Sequence, residues 1–291
     1  MKVLIAGSTG MLGQALCREA KARGYRTIGI ARAGADINLD ITEDEKLMDA
    51  VATTGPDIVI NTVAQINLGE CEHNPARSYL LNARPASLLT ELCRQENLYY
   101  IHISTDHYYT RDGDRKHNED HPVQLLNEYA RTKYAGERFA LANPDALVLR
   151  TNIVGFREGP HSRQTFAEWV MKAVEENAPM TLFADYYTSS ISVSQFSRAL
   201  FDLTAKYPRG LLNLASREVV SKKQFIEAIA QRLGRTLRQA RVGTIAEALG
   251  PRRAESLGLD VTRAETILDY SLPNVREVVE SLVSERIAGE S

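Results

Sequence analysis

Tyr129 and Lys133 stand four residues apart in the segment Asn127-Glu-Tyr129-Ala-Arg-Thr-Lys133-Tyr-Ala-Gly136-Glu137. On a helix, residues at that spacing share a face, so a phenol and an ammonium can serve one site. A free phenol has a pKa of about 10 and exchanges protons poorly at neutral pH unless a nearby cation lowers it. Lys133 is the expected cation. The pair then suits carbonyl–alcohol chemistry, with Tyr129 giving a proton to a carbonyl oxygen as a hydride arrives at its carbon, or taking one in reverse. Alone, the spacing recurs on many surface helices, so its meaning depends on what else the chain brings to it.

Two further groups do so. Ser104-Thr105-Asp106 follows the apolar run from Tyr99. A hydroxyl at the carboxyl end of such a strand can bond a substrate oxygen and stabilise charge developing there. Near the N-terminus, Gly7-Ser-Thr-Gly10-Met-Leu-Gly13 lies between a strand pattern and a helix pattern. Glycines at that spacing permit a tight turn and a close approach to a pyrophosphate, which the helix N-terminus then attracts. After the second strand the chain reads Ala31-Arg32-Ala33, with no carboxylate before Asp36. Arg32 therefore favours NADP(H) over NAD(H), because an arginine there suits a 2′-phosphate and an acidic residue a 2′-hydroxyl.

These residues need a scaffold that gathers loop ends. Strand patterns at Lys2–Ala6, Arg26–Ala31, Asp57–Thr62, Tyr99–Ser104 and Ala146–Thr151 alternate with helical patterns. The helices are Met11–Arg23 (closed by Gly24), Glu43–Thr53, one long helix from Pro75 to Glu96, and Asn127–Ala142. Buried strands separated by helices predict an α/β fold with a doubly wound, Rossmann-type parallel sheet over residues 1–150. Residues 151–291 are expected to form a smaller mixed α/β substrate lobe, with the stretch from about 185 to 215 returning to the first domain. Its helical patterns are Arg163–Glu176, Val193–Lys206 and Lys222–Leu233, with strand-like pieces at Met180–Phe183 and Leu211–Leu214 and breakers at Gly250-Pro251 and Leu272-Pro273.

Composition sets outer bounds. A net charge of −2 supplies no basic field for nucleic acid, and Arg252-Arg253 is read as solvated surface. Cys17, Cys71 and Cys93 form no CxxC pair and suggest a reducing compartment. Nothing resembles a signal peptide or approaches the ~20 apolar residues of a membrane span, so a soluble cytoplasmic chain is expected.

The chain resembles the extended short-chain dehydrogenase/reductase superfamily, and within it the dTDP-4-dehydrorhamnose reductase group. The resemblance rests on Gly7–Gly13, Asp40-Ile41-Thr42, Asp57-Ile-Val-Ile-Asn61, Ser104-Thr105-Asp106, Asn127–Glu137 and Leu149-Arg150-Thr151. It implies catalytic roles for Thr105, Tyr129 and Lys133. Gly7, Thr9, Gly10, Met11, Leu12, Arg32, Asp40, Ile41, Val63, Ala64 and Gln65 are implied to contact the cofactor, together with Tyr129 and Lys133. Asp106, His107, Asn152 and Ile153 are placed at the substrate, and the reaction implied is reduction of the 4-keto group of a nucleotide-linked 6-deoxyhexose. A homodimer is common in the family. His107 after the triplet disfavours a sugar-nucleotide dehydratase, in which glutamate usually follows Thr-Asp. The chain departs from the group at His107-Tyr108-Tyr109-Thr110-Arg111, at Asn152-Ile153 where Ser-Trp is frequent, and at Thr188–Ser192. All three fall where substrate should sit. An epimerase of the same superfamily, holding NAD and returning its hydride, is an open alternative. So is a regulatory subunit like that of methionine adenosyltransferase.

The remaining histidines and Trp169 have plain readings. His117 and His121 are four apart, yet Asn118-Glu119-Asp120 and Pro122 mark a loop, so they are read as solvated loop residues and no metal is expected. His102 is read as a core histidine. Trp169 and the series Phe225, Ile229 and Leu233 are read as core.

Overall fold

Val3, Leu4, Ile5 and Ala6 are all fully buried, as are Ile58, Val59 and Ile60. Strands with no polar alternation must be covered on both faces, and helices do this here. The computed structural model describes residues 1–159, 164–248 and 250–289. Its first half contains β1 (Lys2–Ala6), α1 (Met11–Ala22), β2 (Arg26–Ala31), β3 (Ile37–Asn38), α2 (Asp44–Thr54), β4 (Ile58–Asn61), α3 (Leu68–His73), α4 (Pro75–Asn82), α5 (Arg84–Gln95), β5 (Tyr99–Ile103), α6 (Glu128–Ala140) and β6 (Leu147–Arg150). The second half adds β7 (Ile153–Val154), α7 (Phe166–Glu175), β8 (Met180–Phe183), β9 (Tyr187–Thr188), β10 (Ile191–Ser192), α8 (Val193–Thr204), β11 (Gly210–Asn213), β12 (Val220–Ser221), α9 (Lys222–Arg232), β13 (Ala240–Gly243), β14 (Ser256–Leu257), α10 (Thr262–Leu268) and α11 (Val275–Gly289).

Seven parallel strands form the main sheet in the order β11-β6-β5-β4-β1-β2-β3. The chain builds outward from β1 to β3, then crosses back and builds in the other direction from β4. The reversal at β1 opens a crevice beyond the carboxyl ends of β1 and β4, the usual ligand position in such sheets. The seventh strand comes from the second half: β11 pairs with β6 from Gly210↔Leu147 to Asn213↔Arg150. A separate apolar cluster, with Val170, Met171, Phe225, Ile229, Val278 and Leu282, packs α7, α9 and α11 together.

Several elements differ from the sequence expectation. The long helix from Pro75 is two helices, because α4 ends at Asn82 and α5 restarts with Pro85 in its first turn. Proline lacks the N–H that a continuous helix would use there but fits a helix start. The tail also carries α10 and α11, which the sequence reading left irregular. Asp269, in the left-handed region at φ 64°, closes α10, and Pro273 separates the two helices. Trp169 is not core: it is 41% exposed, with its ring 6.2 Å from Phe166. Arg163, where the sequence reading begins the helix now described as α7, lies outside the described residues.

Candidate active site

The glycine loop is shaped by two contacts that leave no room for a side chain. Gly7 adopts φ +86°, and a Cβ on Gly13 would stand 2.1 Å from the Gly7 carbonyl oxygen, so α1 packs directly onto the turn. At Gly10 a Cβ would meet only the Gly7 carbonyl oxygen, at 3.3 Å. Gly10 is the N-cap of α1 and supplies no side-chain cap. The first N–H groups of the helix, at Met11 and Leu12, are therefore left to an anion, as a pyrophosphate cradle requires. A nicotinamide dinucleotide fits this loop.

Around the cradle, Asp36 accepts the Gly29 N–H through Oδ2 at 2.7 Å, which turns that oxygen under β2. Arg32 is exposed at the end of β2. Asp40 accepts Thr42 N at 3.0 Å and Thr42 Oγ1 at 2.8 Å; these bonds, with Arg32 and Arg77 nearby, hold its carboxyl below the usual range. Arg77, which the sequence reading did not single out, thus joins Arg32 on this side. The Ile41 side chain is core, leaving only its backbone to face a ligand. Val63 to Gln65 leave the end of β4 under a clamp: Gln65 N donates to Asn82 Oδ1 at 2.7 Å, and Asn82 Nδ2 donates to Gln65 O at 3.1 Å and Thr132 Oγ1 at 2.9 Å.

The residues expected to transfer the proton meet at the end of β5. Tyr129 lies on α6 with its phenol beside the Thr105 side chain. Lys133, one turn further on, is 3% exposed and donates from Nζ to the Ile103 carbonyl at 2.6 Å. The expected electrostatics need correction. Burial raises the Tyr129 phenol above its ordinary value, with Thr105 opposing, while burial pushes the Lys133 ammonium down to about 8. Removal from water is the largest influence on each group, and Lys133 is not among the groups that act on the phenol. Ser104 is not a free hydroxyl, since Oγ donates to Glu137 Oε2 at 2.8 Å. That carboxylate also receives a buried fork from Arg150: Nε to Oε2 at 3.0 Å and Nη2 to Oε1 at 2.6 Å. One ion pair therefore ties β5, α6 and β6 together beneath Tyr129.

The substrate side is polar. Asn152 Nδ2 donates to Asp106 Oδ2 at 2.7 Å, and Ser190 Oγ donates to Asn152 Oδ1 at 2.7 Å. Burial pushes the Asp106 carboxyl up to about 7, opposed by Asn152 and Lys222. Ile153 instead packs against the sheet core and pairs with Ile191. The His107 ring stands edge-on to Tyr129 with centroids 5.4 Å apart. Burial, with Arg253 and Lys222 nearby, pushes this imidazole down to about 4, so it is neutral at pH 7. Its buried Nδ1 has no protein partner.

Lys222 and Arg253 reach this place from the second half of the chain, and sequence reading missed both. Lys222 opens α9; its backbone N–H donates to Tyr186 O at 2.7 Å, and its ammonium lies 4.2 Å from the Phe166 ring centroid. Arg253, expected at the solvated surface, is partly buried and acts electrostatically on both His107 and Tyr186. Asn127 holds its loop by donating from Nδ2 to Arg252 O at 2.9 Å. His117 is likewise not solvated, being fully buried, and His121 has a side chain 22% exposed.

A glycine cradle at the switch point of a parallel sheet, with Thr105, Tyr129 and Lys133 gathered at the carboxyl end of β5 on the same edge, defines a Rossmann-type protein of the short-chain dehydrogenase/reductase class. Within that class the chain belongs to the family described as the RmlD substrate binding domain, whose model matches residues 1–287. It is 26% identical, over 97% of both chains, to a probable low-salt glycan biosynthesis reductase, Agl14, of Haloferax volcanii. To a dTDP-4-dehydrorhamnose reductase of Mycolicibacterium smegmatis it is 29% identical, over 80% of this chain and 69% of that one. A hypothetical dTDP-4-dehydrorhamnose reductase from Sulfolobus tokodaii superposes with TM-score 0.83 at 26% identity, covering 94% of this chain and 96% of that one. A Bacillus anthracis dTDP-4-dehydrorhamnose reductase in complex with NADP shares the fold with TM-score 0.87 at 20% identity, over 98% and 99% of the two chains. Among the described residues, no helix is long and apolar enough to cross a membrane.

Proposed function

We propose that this protein is an NADPH-dependent reductase of the 4-keto group of a nucleotide-linked deoxysugar. The observation that carries the reading is the placement of the Tyr129 phenol beside the Thr105 side chain at the carboxyl end of β5, on the same edge of the sheet as the glycine cradle. The names of the relatives support the substrate class.

Backbone groups of Gly7, Thr9, Gly10, Met11 and Leu12 would hold the pyrophosphate. Val63, Ala64 and Gln65 would flank the adenosine, and Asp40 and Ile41 its edge. Arg32 and Arg77 would face a 2′-phosphate, which favours NADPH. When bound, the cofactor supplies the hydride that reduces the carbonyl carbon. Tyr129 gives its phenolic proton to the carbonyl oxygen, so one hydride and one proton convert C=O to CH–OH. Because burial holds the phenol protonated at neutral pH, it serves as an acid in the reducing direction. Thr105 orients the same oxygen, and the Lys133 ammonium offsets the charge left on Tyr129 until water returns its proton. Asp106 and His107 would bind sugar hydroxyls, with Asn152 holding Asp106 in place. Lys222 and Arg253 provide the positive charge that a nucleotide diphosphate needs. A homodimer is the form suggested by the family resemblance, and the free Cys17, Cys71 and Cys93 suit a reducing compartment such as the cytoplasm.

The test is cofactor oxidation against a panel of 4-keto nucleotide sugars, run with NADPH and NADH in parallel. Turnover with NADPH is expected, and Tyr129→Phe should lower kcat by about 10²–10⁴-fold while NADPH affinity is retained. Wild-type turnover in Tyr129→Phe would remove the mechanism. Turnover without net cofactor consumption would replace it with epimerisation.

A further inference from the structure

Asp112, His117 and His121 lie outside the crevice, on the segment between Asp106 and α6. His117 Nε2 is 3.2 Å from Asp112 Oδ2, and His121 Nε2 is 3.6 Å from the same oxygen. One ligand atom from each residue falls within 4.8 Å of the other two.

The orientation of His117 shows what belongs between them. Its Nδ1 is 2.8 Å from the Gly258 carbonyl oxygen. A carbonyl only accepts, so Nδ1 carries the hydrogen, and in a neutral imidazole Nε2 then presents a lone pair. That lone pair faces a carboxylate oxygen, a repulsive arrangement unless a cation lies between them. A proton would satisfy His117 and Asp112 but leaves unexplained why His121 turns its Nε2 toward the same oxygen, beyond hydrogen-bond range. A metal accounts for all three. Ligands bound tetrahedrally to zinc at about 2.0–2.2 Å stand roughly 3.3–3.6 Å apart, close to the 3.2 and 3.6 Å that separate the two imidazole nitrogens from Asp112 Oδ2.

The surroundings match a ligand shell. A carbonyl behind the far ring nitrogen is what usually orients a metal-binding histidine. Tyr109 stacks on His117 with centroids 4.0 Å apart and planes at 4°, which fixes the ring. The His117 carbonyl accepts Asn213 Nδ2 and Asp260 N, each at 2.9 Å, and Asp112 N donates to Ser256 Oγ at 3.0 Å. The nearest competing cation, Arg115, is 3.8 Å from Asp112 Oδ2 and its side chain is 59% exposed, free to swing aside. The side chains of Asp112 and His121 are 35% and 22% exposed, giving an ion a way in and a water the fourth position.

We propose that Asp112, His117 and His121 form a binding site for one divalent transition metal of the zinc class. Two imidazoles and one carboxylate select zinc or cobalt over magnesium, which prefers six oxygens. The ion would brace the segment beginning at Thr105 against residues 256–260.

The full chain, stripped with chelator, is titrated with Zn²⁺ against a chromophoric chelator, and with Co²⁺ while the visible spectrum is followed. One equivalent should bind, cobalt should show the intense bands of a four-coordinate site, and excess Mg²⁺ should not compete. His121→Ala and Asp112→Asn, chosen because both positions are partly exposed, should each weaken binding by at least about 100-fold, beyond what loss of an outer-shell partner causes. Circular dichroism checks that the variants are folded. Absence of stoichiometric zinc binding in the wild type would leave a proton between His117 and Asp112 and overturn the proposal. Unchanged affinity in both variants would also overturn it, by placing the ion elsewhere.

Discussion

Replacing Glu137 by glutamine tests the link between the buried ion pair and the reacting groups. The side chains of Arg150 and Glu137 are 4% and 0% exposed, so solvent cannot compensate when one charge is removed. Glutamine keeps the shape but leaves the guanidinium buried without its counter-ion, a loss of about 3–5 kcal/mol. With about 2.1 cal/mol/K of unfolding entropy per residue, the chain's 291 residues give roughly 0.6 kcal/mol/K. The melting temperature should therefore fall by about 5–8 °C, and the urea midpoint should fall with an unchanged slope. Ser104 and α6 share this carboxylate, so Thr105 and Tyr129 should shift relative to each other. Turnover should drop by about 10–100-fold, because small misplacements are costly in the transition state. Arg150→Met should be similarly destabilised, and the double variant should lose less than the sum by about 1–3 kcal/mol. A loss below about 1 kcal/mol in Glu137→Gln, or strictly additive losses in the cycle, would refute the reasoning.

Other outcomes follow from the same geometry. With the Lys133 ammonium pushed down to about 8, kcat/KM should decline as pH rises through that value, and Lys133→Arg should move the decline upward in a pH–rate profile. The Asp106 carboxyl, pushed up to about 7, keeps a proton that the unfolded chain releases near pH ~4. The folded chain then binds more protons between those values, so stability should fall as pH rises from about 4 to 7. Denaturation series should show that slope flattened in Asp106→Asn. Arg32→Asp combined with Arg77→Ala should shift preference from NADPH toward NADH by at least about tenfold in kcat/KM, since each charged hydrogen bond to a phosphate is worth about 1.5–3 kcal/mol. An unchanged ratio would remove both residues as discriminators.

The parts of the site legible in the sequence are those built from local pattern. The glycine loop could be read because its three glycines sit between a strand and a helix, and Gly13 truly has no space for a Cβ. Tyr129 and Lys133 share a helical face as their spacing predicts. Contacts made across the sequence left no local trace. Asn82 looks like any helix-end asparagine until Gln65 is found in its grip. Lys222 reads as the first residue of a helix, and Arg253 as half of an exposed basic pair. Only the fold of the second half carries them to His107 and Tyr186. The segment around His117 misled for a related reason. Its polar residues do mark a loop, but β14 and the residues after it return to cover the imidazole. Polarity alone cannot reveal a loop pinned from outside.

The pairing of β11 with β6 also has a consequence for synthesis. A chain emerging from the ribosome completes β6 some sixty residues before β11 arrives. Until then Leu147–Arg150 is an open edge of apolar strand, ready to recruit any unpaired strand nearby. Asn213 N, which donates to Glu119 Oε1 at 2.9 Å, then fastens the late strand to the earlier loop. The dinucleotide half is thus not a module that can mature while the rest is still being made. A stop shortly before Gly210 should yield a sticky fragment rather than a small nucleotide-binding domain.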